Sequence, residues 1–156
     1  NNPKADLYGK IVDEDGGIWH RMGDLGWRDT RGRIWFCGRK NQRVITADGT
    51  LFTIPCEAIF NNHEEVERSA LVGVGRSGNQ IPVICIEPKT PVKNKREFIT
   101  KMKEVAACHP LTQEIEHILI HNKPFPVDIR HNSKIFREIL SKWAESKLKK
   151  ELALIN

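Results

Sequence analysis

The stretch PVDIRHNSKIFRE, Pro126–Glu138, decides how the last third of the chain is read. From Ile135 onward the apolar residues Ile135, Phe136, Ile139, Leu140 and Trp143 recur at helical spacing and leave Glu138, Lys142 and Glu145 opposite. Asn132 or Ser133 suits an N-cap, so the pattern predicts a final helix from about Ser133 to Lys150 with Lys134 in its first turn. A cation is misplaced there, because a helix start carries partial positive charge and favours acids by roughly 0.3–1 kcal/mol. Arg130, His131 and Arg137 crowd further positive charge around the same turn. Free backbone N–H groups beside a flexible ammonium suit an anion such as a phosphate or a carboxylate. The competing reading is an ordinary surface lysine paired with Glu138, four residues on.

Working outward, 156 residues suffice for one domain with a core, or for one domain and a piece of another. Charged residues are 29% and apolar ones 39%, an ordinary balance for a globular protein. No apolar run approaches the roughly 18–20 residues needed to span a bilayer, and NNPKADLYGK lacks the apolar stretch of a signal peptide. Four widely spaced cysteines (Cys37, Cys56, Cys85, Cys108) without a C-x-x-C pair point to reduced thiols and a cytoplasmic protein. The six histidines show no ligand spacing, so no bound transition metal is expected. Of the net charge of +5, residues 123–156 hold +4, which suits a solvated basic helix face or a polyanion site.

In chain order, residues 1–17 predict little. IWHRMGDLGW and GRIWFCGR then read as a hairpin around the turn Asp29–Gly32, with Gly23–Gly26 interrupting the first strand, as at a bulge or where a ligand meets the backbone. A charged connector, Gly38–Arg43, marks a domain boundary. Val44–Thr46 and Leu51–Thr53 flank Asp48-Gly49, expected as a type I′ turn. Pro55 is expected at the first position of a helix. Ser69–Val74 and Pro82–Glu87 read as core strands, and Asn94 with Glu97 as a capping box for a helix burying Phe98, Met102 and Val105. Ile115–Ile120 reads as a short helix turning into a strand. The fold class is α+β: a small, mainly antiparallel sheet flanked by helices and preceded by a β-hairpin.

Three segments together carry a resemblance. Arg21–Gly26 (RMGDLG) is similar to the T-G-D-L signature of acyl-adenylate-forming enzymes. Gly38-Arg39, a hairpin and Pro55-Cys56-Glu57 resemble their G-R…G…P-x-E segment, and Asn132–Arg137 (NSKIFR) resembles their C-terminal G-K-x-x-R lysine motif. The wording of HRMGDLG, GRIWFCGRK, PCEAIF, SALVGV and FPVDIRHNSKIFRE is closest to the β-lactone synthetase branch of bacterial olefin biosynthesis. The resemblance implies that residues 1–40 are the tail of a large N-terminal adenylation domain and 41–156 a mobile C-terminal lid, inactive alone.

The resemblance implies a role for each matched residue. Lys134 is the catalytic cation for adenylation. Asp24 accepts hydrogen bonds from the ribose hydroxyls of ATP, and Arg39 donates to the ribose. Asn41 stands at the hinge, with Ser133 where the motif has glycine, and Arg137 is a supporting residue. The cofactors are ATP and Mg²⁺, the metal held mainly through the absent domain. The implied partners are that N-terminal domain, a small-molecule acyl substrate and other olefin-biosynthesis enzymes, with no nucleic acid and no membrane span. Two alternatives stay open: the lid of an acyl-CoA synthetase, and, from the +4 tail and the hairpin WRDTRGRIWFCGR, a nucleic-acid-binding module.

Overall fold

The computed structural model describes residues 9–128 and 131–153. Residues 1–8, 129–130 (Arg130 among them) and 154–156, with the side chains of 131–133 and 151–153, lie outside that description. The chain divides into two units, Asn1–Asn41 and Gln42–Asn156.

Among its described residues the first unit holds two hairpins rather than one. Strand β1 (Lys10–Val12) pairs antiparallel with β2 (Ile18–His20), and β3 (Asp24–Arg28) with β4 (Ile34–Arg39). The expected long strand from Ile18 to Trp27 is therefore cut after His20, and Gly23 follows with φ 76°, a left-handed conformation that glycine adopts without strain. The turn between β3 and β4 is built on Asp29, whose carboxylate accepts from the Arg31 and Arg33 amides at 2.9 Å and from Trp35 Nε1 at 3.0 Å. The hydrogen bond from Trp35 leads the contacts that hold this carboxyl below its usual range. A bulge does occur, but the extra residue sits on the second strand. Leu25 faces Gly38 and Gly26 faces Phe36, leaving Cys37 unpaired and buried. The same offset sets Asp24 opposite Arg39. At Gly26 a Cβ would lie 2.8 Å from the Trp35 carbonyl oxygen, so only glycine fits there.

In the second unit, β5 (Val44–Ile45) and β6 (Thr50–Leu51) form a small hairpin. Its turn is not the expected type I′. Thr46 and Gly49 close it (amide to carbonyl, 2.9 Å), so Ala47 and Asp48 are central and neither has positive φ. The Thr46 hydroxyl replaces that turn chemistry by accepting from the amides of Asp48 and Gly49. Helix α1 runs Thr53–Asn61, which makes Pro55 its third residue, still within the first turn, where a missing N–H costs little.

The core sheet follows in the order β7 (Val66–Val74), β8 (Ile81–Pro88), β9 (His117–Ile120). The first pair is antiparallel, as the two apolar runs suggested, and the second is parallel because helix α2 (Lys95–Ala107) intervenes as a crossover. The Asn94 side chain accepts from the Glu97 amide at 3.2 Å, so Asn94 caps the helix, but the Glu97 carboxylate accepts from the Asn94 side-chain amide at 3.2 Å, which makes only half of the expected box. The segment before β9 makes turns and no α-helix. Side chains leave the strands on alternate faces. Leu71, Ile84, Ile86 and Ile118 meet Phe60 of α1 and Phe98 and Met102 of α2 on one face. Ala70, Val72, Val83, Cys85 and Leu119 meet Leu140, Ala144 and Leu148 on the other. These last three belong to helix α3, Arg137–Ala153. The architecture is α+β, with small, mostly antiparallel sheets and three helices among the described residues, none long and apolar enough to cross a membrane.

Burial separates the thiols. Desolvation pushes Cys56 up to about 11 and Cys85 up to about 12, and Cys37 is also buried, whereas Cys108 is exposed. Titration of the native chain with a disulfide reagent at pH 8 should count one fast thiol, lost in Cys108→Ser, and four after unfolding.

Candidate functional site

The expectation that fails most clearly concerns Lys134. It does not lie in the first turn of a helix. His131–Ile135 is a strand, β11, paired antiparallel with β10 (Val127–Asp128), and α3 begins only at Arg137. Val127 faces Ile135, and the Phe136 amide donates to the Pro126 carbonyl at 2.8 Å, so the chain is held extended up to the helix start. The helix-dipole argument for Lys134 therefore falls. What remains is an exposed lysine on a strand that makes no ion pair with any described residue, Glu138 included.

The helix face also turns relative to expectation. Leu140, Ala144 and Leu148 are buried and Trp143 is partly so, while Ile139 stays 54% exposed. Arg137, one turn before Ser141, lies on the inward side. Its Nη2 donates to Glu57 Oε2 at 3.0 Å, its Nη1 to Glu57 Oε1, and its Nε to Gln42 Oε1 at 3.2 Å. Arg137 Nη1 also donates to the Leu71 carbonyl at 3.3 Å, and the Leu71 amide donates back to Glu57 Oε1 at 2.8 Å. Glu57 is buried. Desolvation pushes its carboxyl up, and the Arg137 charge, the Arg137 hydrogen bonds and the Leu71 amide pull it back. A buried carboxylate survives only when paired and saturated with donors, and this one is both. Ser141 adds a bond from its hydroxyl to the Gly73 carbonyl at 2.7 Å, fixing α3 against β7.

In the first unit, Asp24 and Arg39 are brought together. The Arg39 Nη1 lies 3.0 Å from Asp24 Oδ1, with the side chains 50% and 43% exposed. The same Nη1 donates to the Met22 carbonyl at 2.8 Å, and the Lys40 amide to the Gly23 carbonyl at 2.8 Å. An exposed pair of this kind contributes only about 0–1 kcal/mol to stability, so it can open cheaply toward a ligand. The carboxylate keeps acceptor capacity for hydroxyls and the guanidinium keeps donors. Asn41 sits in a 3₁₀ turn, Lys40–Gln42, as the last residue of the first unit. Among the described residues no group of three His, Cys, Asp or Glu could hold a metal ion.

Sequence reading passed over Glu57 and Gln42. The P-x-E triplet contained Glu57, but nothing local announced a partner 80 residues away. For Gln42 no sequence signal exists.

No family model matches the chain. It is 53% identical over 129 residues to an olefin beta-lactone synthetase of Xanthomonas campestris, a match covering 81% of this chain and 23% of the relative. To the olefin beta-lactone synthetase of Stenotrophomonas maltophilia it is 44% identical over 154 residues, 96% of this chain and 28% of the relative. The chain thus spans about a quarter of the length of the relatives it matches. Among solved structures, an ATP-bound RpMatB-BxBclM chimera superimposes with a TM-score of 0.72 at 17% identity, over 92% of this chain and 27% of that one. This likeness shows the fold.

Arg137→Met should cost about 3–5 kcal/mol, because it strands the Glu57 carboxylate in the core. Adding Glu57→Gln should recover more than half of that loss, since the charge left unpaired is then gone. Urea unfolding of the two variants measures both numbers; equal stabilities of single and double variant would contradict the pairing.

Proposed function

Because this chain belongs to the acyl-adenylate-forming superfamily, we propose that it is the C-terminal portion of an ATP-dependent β-lactone synthetase. The observation that carries the reading is the 44% identity to an olefin beta-lactone synthetase along 96% of the chain. The substrate class is a 2-alkyl-3-hydroxy fatty acid. Its carboxylate oxygen attacks the α-phosphorus of ATP, the bond to pyrophosphate breaks, and acyl-AMP forms. The substrate's 3-hydroxyl then attacks the acyl carbonyl, loses its proton and expels AMP, closing the β-lactone. No incoming thiol is needed.

Two negatively charged groups meet in the first step, so charge neutralisation and alignment are the main contributions a protein can make. Lys134 supplies the ammonium. Its exposure and its lack of an acidic partner among the described residues support that role, where the lost helix-start argument no longer can. Asp24 accepts from the two ribose hydroxyls and Arg39 donates beside it, and their half-exposed pairing suits an exchange of partners with a nucleotide. Mg²⁺ travels on the ATP phosphates, a habit of a cation that keeps most of its waters and takes few carboxylates. Residues up to Asn41 are the tail of the large N-terminal domain. Trp19, Met22, Ile34 and Phe36, all more than half exposed, support a further layer covering them in the intact protein. Residues after Asn41 form the lid, in the cytoplasm.

Pyrophosphate release by the intact enzyme should be fast with 3-hydroxy fatty acids and should fall on the order of 10²–10³-fold in Lys134→Ala. Asp24→Asn should raise the KM for ATP more than it lowers kcat. Mass spectrometry of the products separates the branches. Lactone formed without coenzyme A supports this reading, and acyl-CoA formed at a comparable rate on adding coenzyme A would replace it with an acyl-CoA synthetase.

A further inference from the structure

Lys134 is not fixed by its own side chain, which forms no ion pair with any described residue, so its position is inherited from the backbone on either side. Upstream, the backbone is held where His131 pairs with Asp128; immediately downstream, Ile135 pairs with Val127 and the Phe136 amide donates to the Pro126 carbonyl. Further on, only those two residues separate Lys134 from Arg137, whose side chain makes four hydrogen bonds. Three of its nitrogens reach Glu57, the Leu71 carbonyl and Gln42. Gln42 is the first residue of that unit, directly after Asn41. Its side chain is half-buried and accepts from Arg137 Nε across a separation of 95 residues.

We propose that Gln42, with Glu57, is a positioning residue for Lys134, acting through Arg137. The proposal rests on the assignment of Lys134 to adenylation. The planar guanidinium suits the task because its donors point along fixed directions. Two engage the carboxylate side by side and the third turns toward Gln42, so the orientation of Arg137 is set as well as its location. Glu57 holds the arginine in depth, and Gln42 holds its rotation about the carboxylate. Removing Gln42 leaves the buried pair intact and frees that rotation, which the chain transmits to Lys134 three residues away. A misplacement of about 1 Å in a reacting group can cost up to 10²-fold in rate, and losing one contact of several should cost roughly tenfold.

The test uses the intact enzyme and pyrophosphate release with a 3-hydroxy fatty acid. Gln42→Ala should lower kcat about tenfold, with the KM for ATP changed less than about twofold and the urea midpoint unchanged. Gln42→Glu, which keeps the acceptor, should retain at least half of kcat. The deciding variant is Gln42→Ala combined with Lys134→Ala, which should be no slower than Lys134→Ala alone. Wild-type kcat in Gln42→Ala overturns the proposal, and so does a further tenfold loss in the double variant. Wild-type kcat in Lys134→Ala would instead remove the assignment of Lys134 itself, a failure distinguishable because it needs no change at Gln42.

Discussion

The buried pairing of Glu57 with Arg137 is the constraint on which the second unit depends. Removing either charge from water costs several kcal/mol, and only good geometry with extra donors offsets that cost. The geometry here is two-pronged, with the Leu71 amide and carbonyl completing both partners. The pair joins α1, β7 and the start of α3, elements that local sequence preference alone would not bring together. A hydrophobic replacement of matching volume could stabilise the domain equally well. What it could not supply is direction, since a guanidinium in a fork admits one orientation and a methyl group admits many.

Around that pair the sheet works as a partition. One face of β7, β8 and β9 is closed by α1 and α2 and the other by α3. The second layer rests on a single helix, with Leu140, Ala144 and Leu148 buried among its described residues. Its stability therefore leans on the polar anchors Arg137 and Ser141 as much as on apolar area. The first unit has different logic. Its hairpins carry exposed aromatics, with Trp27 and Trp35 stacked at 6.1 Å, and its order comes from turn carboxylates at Asp13 and Asp29.

What could be read from sequence follows from the range of the forces involved. The strands of SALVGV and PVICIE, the N-cap at Asn94 and the α+β class were legible because each is written in adjacent residues. The start of α3 was not. Ile135 and Phe136 fit a helical period, yet both also favour a strand, and the choice was made by Val127 and Pro126, which lie eight to ten residues back. The turn after Ile45 misled for a similar reason, since Asp-Gly is a strong turn signal but the Thr46 hydroxyl shifted the turn by one residue. The Asp24–Arg39 pairing depended on a bulge at Cys37, which no local pattern marks. The Glu57–Arg137 pair spans 80 residues, beyond any local reading.

The extended conformation around Lys134 has a consequence that a helix would not impose. In a strand, successive side chains obey a parity: Lys134 faces outward because Ile135, its neighbour, packs against the core under α3. The ammonium is thus presented to solvent from a stretch that the ladder leaves without partners, between the pairs Asp128–His131 and Val127–Ile135.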